Sequence, residues 1–295
     1  MNQGVDFVGG RSYVVRFEQP VSQEKIQSNL IKVLGNAEVK TFGSDNQLKI
    51  TTNYKVDTDS SDIDDEINNI LFTDLNEFMP ENIAYEDFVV NGDENKQAGV
   101  MSSIKVGPTI ADDIKKNSFY AVFGSLIIVF LYILLRFKDW QFSLGAVSAV
   151  FHDVLVVLGI FSLTYSFMPF NMEINQAFIA AVLTVIGYSL NDTVVVFDRI
   201  REYRNINTSW ELPRVVDSAL NSTLSRTLNT SFTTLVVLIS IFVFGGESIR
   251  GFMFALIVGV LIGTYSSVFV ATPVMYDTLK TVSYTHLTLP TNREV

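Results

Sequence analysis

The sequence predicts a polytopic α-helical membrane protein with an N-terminal extracytoplasmic α+β domain of the ferredoxin-like class. The chain of 295 residues is 48% hydrophobic, and its mean hydropathy of +0.30 is too high for an ordinary soluble domain. Acidic residues concentrate in residues 1–117, which hold 20 Asp and Glu against 11 Lys and Arg, whereas residues 118–295 hold 11 and 10. Long uncharged runs lie in the second part. An acidic domain is therefore joined to an apolar one.

The composition also excludes several classes of site. The chain has no cysteine, which rules out disulfides, thiolate metal ligands and thiol nucleophiles. No basic face indicates nucleic-acid binding. No metal-ligand spacing, phosphate-binding loop or nucleophile with a base is present, so we expect neither an enzyme nor a cofactor.

Residues 1–117 show the pattern of a small α+β domain. Ser22 can cap the first predicted helix, and acidic residues occupy the first turn of the second. The predicted order is strand, helix, strand, strand, helix, strand, which is the ferredoxin-like pattern. The strands are "SYVVRF", "AEVKTFG", "NQLKITTNY" and "AYEDFVV", with a turn at residues 43–46 between the middle two. The predicted inward residues are Ile26, Leu30, Val33 and Leu34 of the first helix and Ile63, Ile67, Ile70, Leu71 and Leu75 of the second.

Residues 118–280 are predicted to form a transmembrane helical bundle. A span needs roughly 20 mostly apolar residues. Residues 281–295 fit no element and are interpreted as a non-native or disordered tail. The predicted spans are about 118–136, 141–164, 174–197, 227–245 and 251–276.

The charges of the loops predict the orientation. "RFKDW" follows the first span, and "DRIREYR" with Arg214 precedes the fourth. Basic loops face the cytoplasm, so the acidic domain lies outside. Five spans with an external N-terminal domain and no signal peptide predict a sixth span before residue 1.

Asp192 places a carboxylate within the third span, where burying a charge in the membrane costs free energy. It lies six residues before Asp198, or about 9 Å from the predicted cytoplasmic boundary. Thr184, Tyr188 and Asp192 share a helix face, with Asn191 beside them, and such a polar stripe should face the bundle interior. The carboxylate either handles protons or is a structural group bonded to neighbouring helices.

Three further ionisable residues lie in or near the spans. Arg226 begins the fourth span in a stripe with Thr223 and Thr230; it either pairs with Asp192 or extends to the cytoplasmic surface. His152 and Asp153 lie within the second span and form either part of a proton path or a hydrogen-bonding pair between helices. Gly259 and Gly263 are spaced for close helix packing.

Several motifs together resemble one family. The chain is similar over about residues 4–280 to the SecF family of protein-export membrane proteins, or to the SecF half of a fused SecDF, within the resistance–nodulation–division superfamily. The motifs occur in the family's order, and the two longest are the most specific. They are "GVDFVGG", "VGP", "FHDV", "AVLTVIGYSLNDTVVVFDRIRE" and "LSRTLNTSFTTL".

The resemblance implies a function in protein export. Members have six spans in the bacterial cytoplasmic membrane, so the chain resembles an N-terminally truncated fragment. They work with SecD beside the SecYEG translocon and use proton flow to draw exported polypeptide outward. The Asp of "LNDT" and the Arg of "SRT" are implicated in proton transport, and we expect Asp192 to pair with Arg226 until it is protonated. The candidate proton-transport residues are Asp192, Arg226, Asn191, Thr193, Asp153 and His152.

Two other functions stay open at this point. One is a small-molecule or lipid exporter of the same superfamily, although such exporters carry larger and usually paired external domains. The other is a passive membrane assembly subunit in which the buried charges only pair with each other.

Overall fold

The structure is a computed structural model that describes residues 3–58, 61–80, 83–89 and 96–287. The chain divides into two compact units. One comprises Met1–Phe119, Phe161–Ile179 and Phe244–Phe252, and the other comprises Tyr120–Ile160, Ala180–Val243 and Met253–Val295.

The first unit contains a four-stranded antiparallel sheet in the order β2-β3-β1-β4. Helix α2 connects β1 to β2, and α3 lies between β3 and β4, so the predicted ferredoxin-like arrangement is confirmed. The elements are α1 (Val5–Val8), β1 (Gly10–Arg16), α2 (Gln23–Leu34), β2 (Glu38–Phe42), β3 (Ser44–Thr52), α3 (Ser61–Leu75), α4 (Tyr85–Val89) and β4 (Gly99–Val106), with a 3-10 turn at Asn76–Phe78.

The fourth strand is not the predicted one. Residues 85–89 of "AYEDFVV" form the short helix α4, and residue 90 lies outside the described residues. The fourth strand is β4, which pairs with β1. Phe88 is fully buried, and Phe72 packs against it with ring centroids 5.4 Å apart. The aromatic residues Tyr85 and Phe88 are three positions apart, a spacing that turns both rings toward α3 when the segment is helical.

The hairpin and the helix stripes follow the predictions with three differences. The turn is tighter than residues 43–46, because Gly43 adopts a φ of 85° and β3 already begins at Ser44. Val33 is 47% exposed rather than inward, since the core side of α2 centres on Leu30. Ile70 is half-buried. The other predicted inward residues are buried: Ile26, Leu30, Leu34, Ile63, Ile67, Leu71 and Leu75.

Within the described residues, five long apolar helical segments confirm the five predicted spans. Each is long and apolar enough to cross a membrane. The last one contains a π-helical stretch at Ser267–Ala271. The first four are α5 (Pro108–Phe137), α6 (Trp140–Thr164), α7 (Gln176–Ile206) and α8 (Leu212–Phe244). The fifth is formed by α9 (Glu247–Ser266), the π-helical stretch and α10 (Thr272–Leu287).

The helices extend beyond the predicted spans. Proline is well suited to the first turn of a helix, and α5 begins at Pro108, so it crosses the boundary placed at residue 117. Helix α7 continues through the basic segment to Ile206, because hydropathy marks the membrane-crossing part of a helix and not its ends. Helix α10 runs to Leu287, into the predicted tail, and residues 288–295 lie outside the described residues.

Glycines bring α7 and α9 into close contact, as their spacing predicts. A Cβ atom added at Gly259 would lie 2.0 Å from Cγ2 of Val185, and one at Gly263 would lie 2.9 Å from Cβ of Ser189. Gly145 of α6 makes a similar approach, because its Cβ would lie 2.6 Å from the carbonyl oxygen of Ala271. At these three positions the neighbouring helix thus lies so close that a side chain in place of the glycine would require it to shift.

A pair of alanine substitutions tests this packing. We expect Gly259→Ala to destabilise the detergent-solubilised protein by about 1–3 kcal/mol, because the stiff Val185 must move. Gly187→Ala in α7 is the matched control, since no atom lies within 4 Å of its added Cβ. Thermal unfolding followed by circular dichroism measures both variants. Equal melting temperatures for the two would contradict the close approach.

Charged and aromatic side chains join the end of α5 to α7. Arg136 Nη2 lies 3.0 Å from Asp198 Oδ2, and Arg201 Nη1 donates to the carbonyl oxygen of Arg136 at 3.0 Å. Beside them, the ring centroids of Phe137, the last residue of α5, and Phe197 of α7 lie 6.0 Å apart. The basic ends of α5 and α7 therefore lie beside each other, as expected if both face the same side of the membrane.

Candidate functional site

Helix α7 carries Asp192 into the interior of the second unit. The residue is 2% exposed. Ser231 of α8 donates to Oδ2 of Asp192 at 3.5 Å, which is longer than the usual 2.5–3.0 Å for such a bond. Asp192 is thus a buried carboxyl group with a weak partner.

A cluster of hydroxyl groups surrounds this partner. The oxygens of Ser231 and Thr264 lie 2.5 Å apart and join α8 to α9. The hydroxyl of Tyr188, one turn before Asp192 on α7, donates to Ser231 at 3.5 Å and to Thr234 at 3.3 Å. Hydroxyl groups both donate and accept hydrogen bonds, so this cluster can form hydrogen bonds with Asp192 whether its carboxyl group is ionised or protonated.

Asp153 has a very different environment. It is fully buried on α6, and its Oδ2 accepts hydrogen bonds from Ser189 of α7 at 2.5 Å and from Ser266 of α9 at 2.8 Å. Its Oδ1 lies 3.1 Å from Nδ1 of His152. The carboxylate therefore ties three helices together, which favours the interpretation of His152 and Asp153 as a helix-bonding pair.

Arg226 lies on the exposed side of α8. Within the part of the chain that the structure describes, no ion pair joins it to Asp192 within 4.0 Å. Thr223 of the predicted stripe is buried, but Arg226 is exposed and Thr230 is half-buried. The inward side of α8 continues from Thr223 through Thr227 and Ser231. The pairing of Asp192 with Arg226 stays a prediction for another state of the protein.

The remaining candidates occupy different faces of α7. Asn191 and Thr184 are exposed, so the predicted inward stripe is buried only toward its Asp192 end. Thr193 is fully buried and donates to the carbonyl oxygen of Ser189 at 3.2 Å. Of the described residues, no group of three or more His, Asp or Glu could hold a metal ion.

Four serine and threonine residues of the site were not predicted. Ser189, Ser231, Thr264 and Ser266 have no charge and change hydropathy little, so they do not stand out in an apolar helix. One available signal is the spacing of Ser189 and Thr193, which places two polar groups on one face beside Asp192.

A π-helical stretch directly follows Ser266. Thr272 Oγ1 donates to the carbonyl oxygen of Ser267 at 2.9 Å, five residues earlier. Such stretches are rare, and they occur often at functional sites. Here it follows the residue that bonds Asp153.

Comparisons with known proteins agree with one another. The profile of the family described as "Protein export membrane protein SecD/SecF, C-terminal" matches residues 88–281, and that of the "SecD/SecF GG Motif" matches residues 1–21. The chain is 45% identical over 275 residues to the protein translocase subunit SecF of Rhodothermus marinus, covering 93% of this chain and 82% of the relative. It is also 45% identical over 170 residues to the protein translocase subunit SecDF of Brucella abortus, covering 58% of this chain and 22% of that protein.

Solved structures are similar over nearly the whole chain. The crystal structure of SecDF, a translocon-associated membrane protein from Thermus thermophilus, matches with a TM-score of 0.75 and 30% identity over 97% of this chain. SecDF in its super-membrane-facing form matches with a TM-score of 0.63 and 29% identity, also over 97% of this chain. The chain spans 34% and 36% of those two longer chains.

Proposed function

The chain belongs to the SecD/SecF family of protein-export membrane proteins, and we propose that proton movement past Asp192 drives its part in protein translocation. It is a multi-pass protein of the bacterial cytoplasmic membrane and an accessory subunit of Sec protein translocation. Its relatives are named as transport proteins and not as enzymes.

One observation carries the proton proposal: a buried carboxyl group with a weak partner among hydroxyl groups. An ionised Asp192 can accept from Ser231, and a protonated one can donate to the same oxygen. The hydroxyl oxygen of Ser231 can thus remain bonded to Asp192 in both forms, which lowers the cost of changing the protonation state. Asp153 is less able to change its protonation state, because two serines already donate hydrogen bonds to one of its oxygens.

The proposed cycle has two states. An ionised Asp192 pairs with Arg226 in one state; a proton from outside neutralises Asp192, releases Arg226 and lets α7 and α8 repack. A proton that crosses 100 mV supplies about 2.3 kcal/mol, enough to bias the position of an external domain. The sheet domain, outside the membrane in this proposal, would act on the exported polypeptide.

A polar stripe on α8 supports SecD as a partner. Arg226, Asn229 and Thr233 are exposed on one side of this helix, where contact with lipid would be costly. Only 11% of the residues in the apolar part of α8 are buried, against 44% in α6 and α7. A partner subunit would cover these groups. The SecYEG translocon and the exported polypeptide are the other proposed partners.

A reconstitution experiment tests the proposed function. Inverted membrane vesicles that contain the export machinery are prepared with and without this chain, and translocation of a secreted protein is measured before and after an uncoupler. We expect the chain to raise translocation, and the uncoupler to remove the increase. An increase that survives the uncoupler would contradict the proton-driven step and would favour a passive assembly subunit.

A further inference from the structure

We propose that residues 3–10 form a junction that fixes the sheet domain to the first turns of α5 and α7, with Asp6 as its positioning residue. The inference rests on the proposed function, because the junction would transmit force between the sheet and the helix that carries Asp192. The glycine-rich segment thus gains a mechanical role.

Asp6 connects the junction to the first residue of α7. Its Oδ2 accepts a hydrogen bond at 2.9 Å from the backbone nitrogen of Gln176, the first residue of α7. A carboxylate is stabilising at this end of a helix, where backbone N–H groups are unpaired. Helix α7 already has a local cap, because Asn175 Oδ1 accepts from the nitrogen of Phe178 at 3.0 Å. The bond from Asp6, 170 residues away in the chain, therefore does more than cap the helix.

Backbone contacts fix the same two segments to each other. The nitrogen of Gly4 donates to the carbonyl oxygen of Ile174 at 3.0 Å, and Gln3 forms a β-bridge with Ile174. A Cβ atom at Gly4 would lie 3.3 Å from Cβ of Asn175, so the two backbones are close. These contacts hold residues 3–6 against the segment that leads into α7.

A buried ion pair links the sheet to this segment directly. Lys49 Nζ of β3 lies 2.5 Å from Oε2 of Glu173, and the side chains are 15% and 5% exposed. Removing one partner of a buried pair leaves an uncompensated charge, so such a pair holds its two elements firmly. The sheet and the start of α7 are thus joined by two independent contacts, one through Asp6 and one through Glu173.

Val5 and Gly10 of the junction contact β3, β4 and α5. Val5 packs with Val106 at the end of β4 and with Ala111 in the first turn of α5. Gly10 adopts a φ of 134°, and its Cβ would lie 2.5 Å from the carbonyl oxygen of Thr52. The glycine thus permits the close approach to β3 that a side chain would prevent.

The geometry makes transmission along α7 direct. Asp192 lies 16 positions after Gln176 on one continuous helix, or about 24 Å along its axis. A displacement of the sheet would move the start of α7 through Asp6 and Glu173. The helix would carry that displacement toward the carboxyl group.

An uncoupling experiment tests the role of Asp6. Translocation is measured in vesicles with and without a proton gradient, and proton uptake is measured on the purified chain in liposomes. We expect Asp6→Ala to lose the gradient-dependent translocation several-fold while proton uptake stays near wild type. Asp6→Asn, which keeps an acceptor oxygen, should retain most of the translocation. Glu24→Ala is the matched control, because Glu24 is an exposed acid in the first turn of α2.

The outcomes separate the two proposals. Wild-type protein that takes up no protons would overturn the proposed function. Wild-type protein that takes up protons, together with an Asp6→Ala variant that translocates normally, would overturn the junction alone. If Asp6 has only a structural role, Asp6→Ala will lower proton uptake and translocation together. That result would also overturn the proposed junction.

A reversible cross-link provides a second test. The chain has no cysteine, and the Cβ separation of residues 4 and 175 is close to that of a disulfide. We expect oxidised Gly4→Cys/Asn175→Cys to restore translocation to the Asp6→Ala variant and reduction to remove it again. Asn175→Cys also removes the local cap of α7, and the reduced form of the same variant is the control for that loss. A cross-linked fraction, identified by gel shift, that translocates no better than the reduced protein would overturn the inference.

Discussion

Asp192→Asn is expected to abolish the gradient-dependent part of translocation and to leave the gradient-independent part unchanged. Asparagine has nearly the same shape, and its amide oxygen can still accept from Ser231. It cannot bind or release a proton in the physiological range. The bundle should therefore fold normally, and only the coupling to protons should be lost. Translocation into inverted vesicles with and without an imposed gradient measures both parts.

The matched control is Asp217→Asn. Asp217 is an exposed carboxylate near the start of α8, so this substitution removes the same charge away from the hydroxyl cluster. Gradient-dependent translocation should stay at the wild-type level in this variant. Equal losses in the two variants would indicate that the net charge of the chain matters and not the position of Asp192.

Asp153→Ala should produce the largest loss of stability among single substitutions in the bundle. It removes the acceptor of Ser189 and Ser266, and it leaves two buried hydroxyl groups and a cavity between three helices. We expect a loss of about 2–4 kcal/mol, since each unsatisfied buried hydroxyl group costs about 1–3 kcal/mol and part is recovered by local bonds. Thermal unfolding in detergent measures the change.

Asp153→Asn separates structure from proton transport at this position. It keeps an acceptor oxygen for the serines, so its stability should fall much less than that of Asp153→Ala. Per folded molecule, its gradient-dependent translocation should equal that of the wild type. A well-folded Asp153→Asn protein without gradient-dependent translocation would instead place Asp153 and His152 on the proton path.

The five spans could be predicted because uncharged runs long enough to cross a bilayer are rare outside membrane proteins. The ends of the helices could not, since α5 and α8 continue into charged segments that hydropathy assigns to loops. The fourth strand was missed for a different reason. "AYEDFVV" has the β-branched and aromatic residues of a strand, but as a helix it packs Phe88 against Phe72 of α3, a tertiary contact that sequence pattern does not reveal.

The candidate site was predicted only in its ionisable residues. Asp153 and Asp192 stand out because burial of a charge in a membrane is costly. The serines that donate to these two carboxyl groups lie between 36 and 113 residues away in the sequence, and serine has no distinctive hydropathy. The orientation of Arg226 was also unpredictable, because a shift of one residue along α8 turns a side chain by about 100°.

Proton uptake by the purified chain tests the central claim most directly. The wild-type protein, Asp192→Asn and Asp217→Asn are reconstituted in liposomes, a membrane potential is imposed, and the internal pH is followed with a trapped dye. We predict uptake by the wild type and by Asp217→Asn, and uptake at the level of empty liposomes by Asp192→Asn. Equal uptake by Asp192→Asn and the wild type would contradict a proton path through Asp192.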